Sequence, residues 1–278
     1  VNPRSIRLGA LLAVLVLLAA ACSSAAPVAA PGKTPTLEWF GWSHFRVTSA
    51  EGKVILINPF ITGNADSSVT VDEITKADVI LAADGHRDEQ GDTIALAKKT
   101  GAKVIGGGFE LGSWFIQQGI PAAQVIRSNP GNRHRFDNVT IRVVNSVHGS
   151  GLPNPTIENP YGGPAAGFII TLENGYTVYF EGSSAATMDM QIWGSTYKPD
   201  LAILVLNNDH DPLDSAQAVK LLRVGNSNLT KVIPHHQRVQ PPAGATTIDE
   251  MEEAIHETVG KGVTVLRLQR GQVLPLVK

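Results

Sequence analysis

Histidines and carboxylates fall in short clusters along this chain, each just after an apolar run. Asp84, His86, Asp88 and Glu89 sit within Ala83-Asp84-Gly85-His86-Arg87-Asp88-Glu89. His148 follows an apolar run at 139–144, and Glu181 and Ser183 follow one at 176–180. Asp209 and His210 follow 201–206, and His235 and His236 follow 231–233. Imidazoles and carboxylates gathered in one place suit Zn, Mn or Fe better than Mg or Ca alone.

For these clusters to meet, the runs before them must be strands that end at one edge. Runs at 37–40, 45–48, 54–57, 79–82 and 104–105 read as strands, with helical patterns at 93–99 and 111–118. Further strands are expected at 139–144, 167–172 and 176–180, the last two joined by Glu173-Asn174-Gly175, where Asn-Gly signals a hairpin. Strand and helix then alternate through 201–206, 215–222, 231–233, 248–259 and 263–268. Each half opens with hairpins and continues with β–α alternation. Two similar halves are therefore expected, each a mixed sheet with helices on its outer face. Side chains just past the carboxyl ends of strands in such sheets share one crevice, where ligands bind. Gly85 is expected to permit the tight backbone that turns its neighbours inward. Taken singly, each cluster has a plainer reading: a solvated loop at 84–89, a turn at 146–151, and His235 and His236 facing opposite ways on a strand. Recurrence after five strands favours a common site. His44 is read as a strand-surface residue, and His134 and His256 as surface residues.

Among 278 residues, Lys plus Arg number 23 against 25 Asp plus Glu, a net charge of −2, and no basic block occurs. That leaves no electrostatic footprint for nucleic acid. A single cysteine excludes an internal disulfide framework or a cysteine-built zinc site. Arg4 and Arg7 precede an apolar stretch at 8–21 and small residues directly before Cys22. These are the parts of a secretory signal, and the stretch is shorter than the about 20 residues of a membrane span. Residues 1–21 are expected to be a signal peptide, and Ala-Ala-Ala-Cys22 resembles a bacterial lipobox, with Cys22 lipidated. Residues 22–35, rich in Ala, Pro and Ser, form a flexible tether, and 36–278 form one domain. The expected address is the bacterial cell envelope, outside the cytoplasm and lipid-anchored to the membrane.

From Leu37 to about Leu268 the chain resembles the metallo-β-lactamase superfamily, in the branch of small metal-dependent hydrolases similar to ascorbate-6-phosphate lactonase. The resemblance is carried by Gly41-Trp42-Ser43, by Ile55-Leu56-Ile57-Asn58-Pro59-Phe60 and by Lys76-Ala77-Asp78-Val79-Ile80-Leu81. Phe109-Glu110-Leu111, Gly163-Pro164-Ala165-Ala166-Gly167-Phe168, Tyr197-Lys198-Pro199-Asp200 and Val232-Ile233-Pro234-His235-His236 continue it. It implies a four-layer αββα sandwich, two mixed sheets with helices on the outer faces. It further implies one or two divalent ions (Zn, Mn or Fe) activating water to attack an ester, lactone or phosphoester of a small molecule. The family motif His-x-His-x-Asp-His corresponds to Asp84, His86, Asp88 and Glu89, and the family's two later histidines to His148 and His236. Those six are the implied metal residues. Asp84, His86 and His148 would hold one ion, Asp88, Glu89 and His236 part of a second position, and Asp88 would orient the water or act as general base. Carboxylates replacing imidazoles make the site harder and more anionic. Ser183 stands where the family has a bridging aspartate, Trp42 where it has a histidine, and Asn58 where it has an aspartate. Glu181, two residues before Ser183 and so on the same strand face, is expected to compensate. Trp42, Glu181, Ser183, Asp209 and His210 are the candidate pocket residues. The alternative implied by the altered motif is a catalytically inactive, lipid-anchored binding module.

Overall fold

The computed structural model describes residues 33–278, apart from 159 and 209. The signal segment, Cys22, most of the tether and Asp209 therefore lie outside the described residues.

Two seven-stranded sheets are present, and each begins antiparallel and ends parallel. In the first, β1 (Thr36–Gly41), β2 (His44–Thr48) and β3 (Val54–Ile57) form a meander. Parallel β4 (Val79–Ala82), β5 (Lys103–Gly106) and β6 (Val125–Ile126) follow, interleaved with α1 (Arg87–Gln90), α2 (Thr93–Thr100) and α3 (Phe109–Gln117). The second repeats the plan. Antiparallel β7 (Arg133–Phe136), β8 (Val139–Asn145), β9 (Ala166–Thr171) and β10 (Thr177–Phe180) lead to parallel β11 (Leu201–Val205), β12 (Lys231–His235) and β13 (Thr264–Val265). Helices α4 (Asp189–Tyr197), α5 (Pro212–Leu222) and α6 (Ile248–Val259) connect these strands. Finally β14 (Val273–Pro275) returns to pair with β1.

Alternation along the strands sorts the core into three layers. Ile55, Ile57, Val79 and Leu81 face Phe168, Phe180, Val178 and Ile203 between the sheets. Leu56, Ile80 and Val104 face the other way, onto Leu96, Leu111 and Trp114 of α2 and α3. Tyr179, Ala202 and Leu204 likewise meet Met190, Val219 and Ile255 of the other helices. Strands buried on both faces carry apolar residues at every position, which is why Val-Ile-Leu-Ile and Val-Ile-Leu-Ala read as unbroken runs. The result is the four-layer α/β sandwich expected from the resemblance. The start of α6 is fixed by a capping box between Thr247 and Glu250.

Some elements differ from the sequence reading. The apolar run 263–268 is a strand only at Thr264–Val265. Val263 and Val265 pack on the helix side while Leu268 packs between the sheets, so its hydrophobicity marks a chain passing from one layer to another. β7, with the sequence Arg-His-Arg-Phe, is an edge strand with little apolar signal, and α1 is one helical turn inside the expected loop. His44 is not on a surface. It is fully buried on β2 against the Phe40 ring at 5.0 Å, and burial together with the nearby Arg46 charge pushes its imidazole down to about 3. His134 and His256 are half-buried, bonded to Ser128 Oγ at 2.8 Å and to the Val263 carbonyl at 2.9 Å.

Candidate metal centre

The site begins where β4 runs out. Asn58, at φ 45° and fully buried, accepts the Ala83 N–H at 2.9 Å and so anchors the end of the strand. Asp84 follows. Its Oδ1 accepts the His86 N–H at 2.8 Å, a local turn that sets the direction of His86 before α1 starts. Between them Gly85 leaves no room for a side chain, since a Cβ would lie 3.0 Å from the Gly151 carbonyl oxygen and 2.9 Å from Leu152. Close approach, not a special φ, is what Gly85 supplies. The same segment binds the Gly85 N–H through Ser150 Oγ at 3.0 Å. This brings the loop after β8 across, and with it His148.

Asp84, His86 and His148 consequently converge, each offering one donor atom within 4.8 Å of the other two. Among the described residues no other such trio of His, Cys, Asp or Glu forms. The rings of His86 and His148 meet edge to face at 5.1 Å, and His86 Nδ1 lies 3.3 Å from Asp84 Oδ1. Burial grades from Asp84, fully enclosed, through His86 to exposed His148, so the cluster opens to solvent on one side.

Beside it lies a second group. Asp88 and Glu89 project from α1, and His236 follows β12 at φ 61°. His236 Nε2 is 3.0 Å from Glu89 Oε1 and 3.5 Å from Asp88 Oδ2. Ser183 Oγ donates to the same Glu89 oxygen at 2.8 Å, and Trp42 Nε1 donates to Asp88 Oδ2 at 2.9 Å. Behind it, His236 Nδ1 and His235 Nδ1 are 2.7 Å apart. Sequence reasoning gave His235 no role, yet it is fully buried and braces His236 from behind. Adjacent strand residues were expected to diverge; the left-handed backbone at His236 turns both rings into one cluster. Ser43 Oγ, also unforeseen, donates to the Asp88 carbonyl at 2.9 Å and holds α1 in place.

The electrostatics follow from this crowding. Burial first, and then the Glu89 carboxylate, push Asp84 up to about 8. Burial also opposes ionisation of Asp88, but hydrogen bonds from His236 and Trp42 outweigh it and hold the carboxyl well below its usual range. His236 is lifted to about 9, because Glu89 and Asp88 more than offset the burial that disfavours its charge. Burial and the neighbouring His86 keep His148 below its ordinary value, leaving a neutral imidazole with a lone pair to donate. No lysine or arginine pairs with Asp84, Asp88 or Glu89 among the described residues. Asp84 Oδ2 is buried without a hydrogen-bond partner. A buried carboxylate oxygen with neither proton donor nor counter-charge is costly, and a cation between it and two imidazoles would relieve that. The Asp84, His86 and His148 trio fits a divalent ion.

The remaining candidates stand apart. Glu181 does not join the cluster, because Gly182 at φ 69° breaks the strand alternation expected to align it with Ser183. Its buried carboxyl instead accepts the Val205 N–H and is pushed well up by burial. His210 hydrogen-bonds Ser215 Oγ at 2.9 Å beside the start of α5. A cavity of about 580 Å³ lies past His236, lined by Gln237, Arg238, Thr246 and Arg270 among others, but none of the trio lines it. Arg238 also stacks on the Trp42 ring at 5.0 Å.

Residues 53–275 match the model of the beta-lactamase superfamily domain. The chain is 32% identical over 247 residues to a UPF0173 metal-dependent hydrolase of Roseiflexus sp. (strain RS-1), covering 87% of this chain and 97% of that relative. It is 34% identical over 284 residues to another from Cupriavidus taiwanensis, covering 93% and 96%. Its fold is similar to that of Igni18, a metallo hydrolase from the archaeon Ignicoccus hospitalis, with TM-score 0.71, 26% identity, and coverage of 87% of this chain and 97% of that one. The metallo-β-lactamase fold protein YhfI of Bacillus subtilis, at 15% identity, TM-score 0.62 and coverage of 87% and 99%, matches in fold alone. Sandwich architecture, a histidine–carboxylate centre at the strand ends and sequence identity along nearly the whole domain agree, and the chain belongs to the metallo-β-lactamase superfamily as a metal-dependent hydrolase.

Proposed function

We propose that this protein hydrolyses an ester, lactone or phosphoester bond of a small molecule, using a divalent ion held by Asp84, His86 and His148. The convergence of those three donors, with Asp84 Oδ2 unpartnered, carries the reading. Bound there, such an ion lowers the pKa of water enough for attack on an acyl or phosphoryl centre near neutral pH. The chain's own groups do the rest. Asp88 is ionised and 36% exposed, so it is reachable by water and able to orient it and accept its proton. Trp42 fixes that carboxylate through its indole N–H, and α1 is clamped from below by Ser43. His148 forms the open side through which a substrate enters.

Mn, Zn and Fe are the ions that a one-carboxylate, two-imidazole set suits. The test is metal-stimulated turnover of a panel of esters, lactones and phosphodiesters, with metal content measured in parallel. The expected outcome is hydrolysis of at least one class, lost with the metal in His86→Ala. Retention of a ligand without conversion in the metal-loaded protein would replace hydrolysis by binding. We also propose that the domain works outside the cytoplasm on a lipid anchor at Cys22, supported by the basic, apolar and small-residue order of 4–22. Incorporation of labelled fatty acid in cells, abolished by Cys22→Ser, is the result expected.

A further inference from the structure

We infer that the protein holds one metal ion, because the donors that could build a second position are tied to one another. This rests on the metal-dependent reading above and specifies the number of ions. His236 Nε2, the ring nitrogen facing the site, lies 3.0 Å from Glu89 Oε1 and 3.5 Å from Asp88 Oδ2. Its other nitrogen is 2.7 Å from His235 and faces away. Glu89 Oε1 takes a second hydrogen bond from Ser183 Oγ, and Asp88 Oδ2 takes one from the Trp42 indole. Three protein donors thus meet two carboxylates in a closed knot. Two of them, the Ser183 hydroxyl and the Trp42 N–H, aim protons at the carboxylate oxygens a cation would need.

The geometry is also wrong for an ion. Asp88, Glu89 and His236 do not bring donor atoms within 4.8 Å of one another as a trio, whereas Asp84, His86 and His148 do. Of the Asp88 and Glu89 carboxylate oxygens, Glu89 Oε2 alone is buried without a partner. A single free oxygen contributes negative potential to the neighbouring ion but is too few donors for another. The knot therefore acts as a built-in, cation-free replacement: His236 bonds Glu89 at 3.0 Å and lies 3.5 Å from Asp88, holding both carboxylates in place.

The experiment is metal counting on the full domain, first stripped with chelator and then titrated with Mn²⁺ alone. Calorimetric stoichiometry, elemental analysis after desalting, and the Mn²⁺ electron paramagnetic resonance spectrum give three readouts independent of turnover. One equivalent is expected, with no exchange-coupled pair signal after loading with a threefold excess of Mn²⁺ and removal of unbound ion by desalting. Two equivalents with an exchange-coupled spectrum would overturn the inference while leaving the metal-dependent reading intact. No bound ion would overturn both. In Trp42→Phe/Ser183→Asp, one donor is removed and another becomes a carboxylate, so uptake should rise toward two equivalents. A folded double variant, judged by circular dichroism, that still binds only one ion would overturn the knot as the cause.

Discussion

Asp84→Asn separates the cost of a buried carboxylate from its use. With no ion bound, the Asp84 carboxyl is pushed from 3.8 to about 8 by burial and by Glu89. An acid whose folded pKa is raised stabilises the fold at low pH, and that stability is lost as pH rises from 3.8 toward 8. At 1.36 kcal/mol per unit, the roughly four units up to pH 8 set a ceiling of about 5 kcal/mol. Asparagine keeps the Oδ1 that accepts the His86 N–H but carries no charge. In chelated protein at pH 8, Asp84→Asn should therefore raise Tm, by about 2–4 °C per kcal/mol recovered in a domain of this size, and flatten the pH profile between 4 and 8. Saturating metal should reverse the order. Wild type gains about 4 kcal/mol at a thousandfold excess over Kd, and the variant, lacking its anionic ligand, gains little. Scanning calorimetry at several pH values, with chelator and with Mn²⁺ or Zn²⁺, reads both effects. A variant less stable than wild type in chelator at pH 8, or one stabilised by metal as much as wild type, would refute the reasoning.

Other outcomes follow from single contacts. Gly85→Ala pushes a Cβ onto the Gly151 carbonyl and Leu152, so a loss of about 1–3 kcal/mol and weaker metal binding are expected by thermal melting and metal titration. Buried His44, held neutral with its pKa near 3, makes stability present above the unfolded value of 6.5 and lost as pH falls toward 3. His44→Leu should weaken that acid limb in urea denaturation at pH 4 against pH 7. Trp42→Phe removes the indole bond to Asp88, so the acidic limb of the kcat/KM profile should move to higher pH. His86→Ala, removing one of three donors, should lower kcat/KM by at least about 100-fold with a parallel loss of bound metal.

Most of the sandwich was legible because strands buried on both faces must be apolar at every position. Val54–Ile57 and Val79–Ala82 announce themselves that way, and Ile248–Val259 does so through its helical pattern. β7 and α1 were not legible, since an edge strand of Arg-His-Arg-Phe and a single polar turn bury too little to leave a pattern. In the site, Asp84, His86 and His148 could be named as candidates because each follows a strand end, and the family resemblance grouped them on one ion. Glu181 could be named but not oriented: the positive φ of Gly182 ends the period-two rule on which its expected direction depended.

Residue order along the chain thus determined which side chains are candidates for the crevice, because strand ends are set by local hydrophobic pattern. Only the tertiary structure decided how those side chains share their protons and lone pairs. Whether His236 meets a carboxylate or a metal, and whether Asp84 keeps a free oxygen, depends on distances of about 3 Å between segments more than sixty residues apart. No spacing in the sequence encodes them. Packing of the two sheets against each other sets them, and with them the division of the centre into three convergent donors and a closed hydrogen-bonded knot.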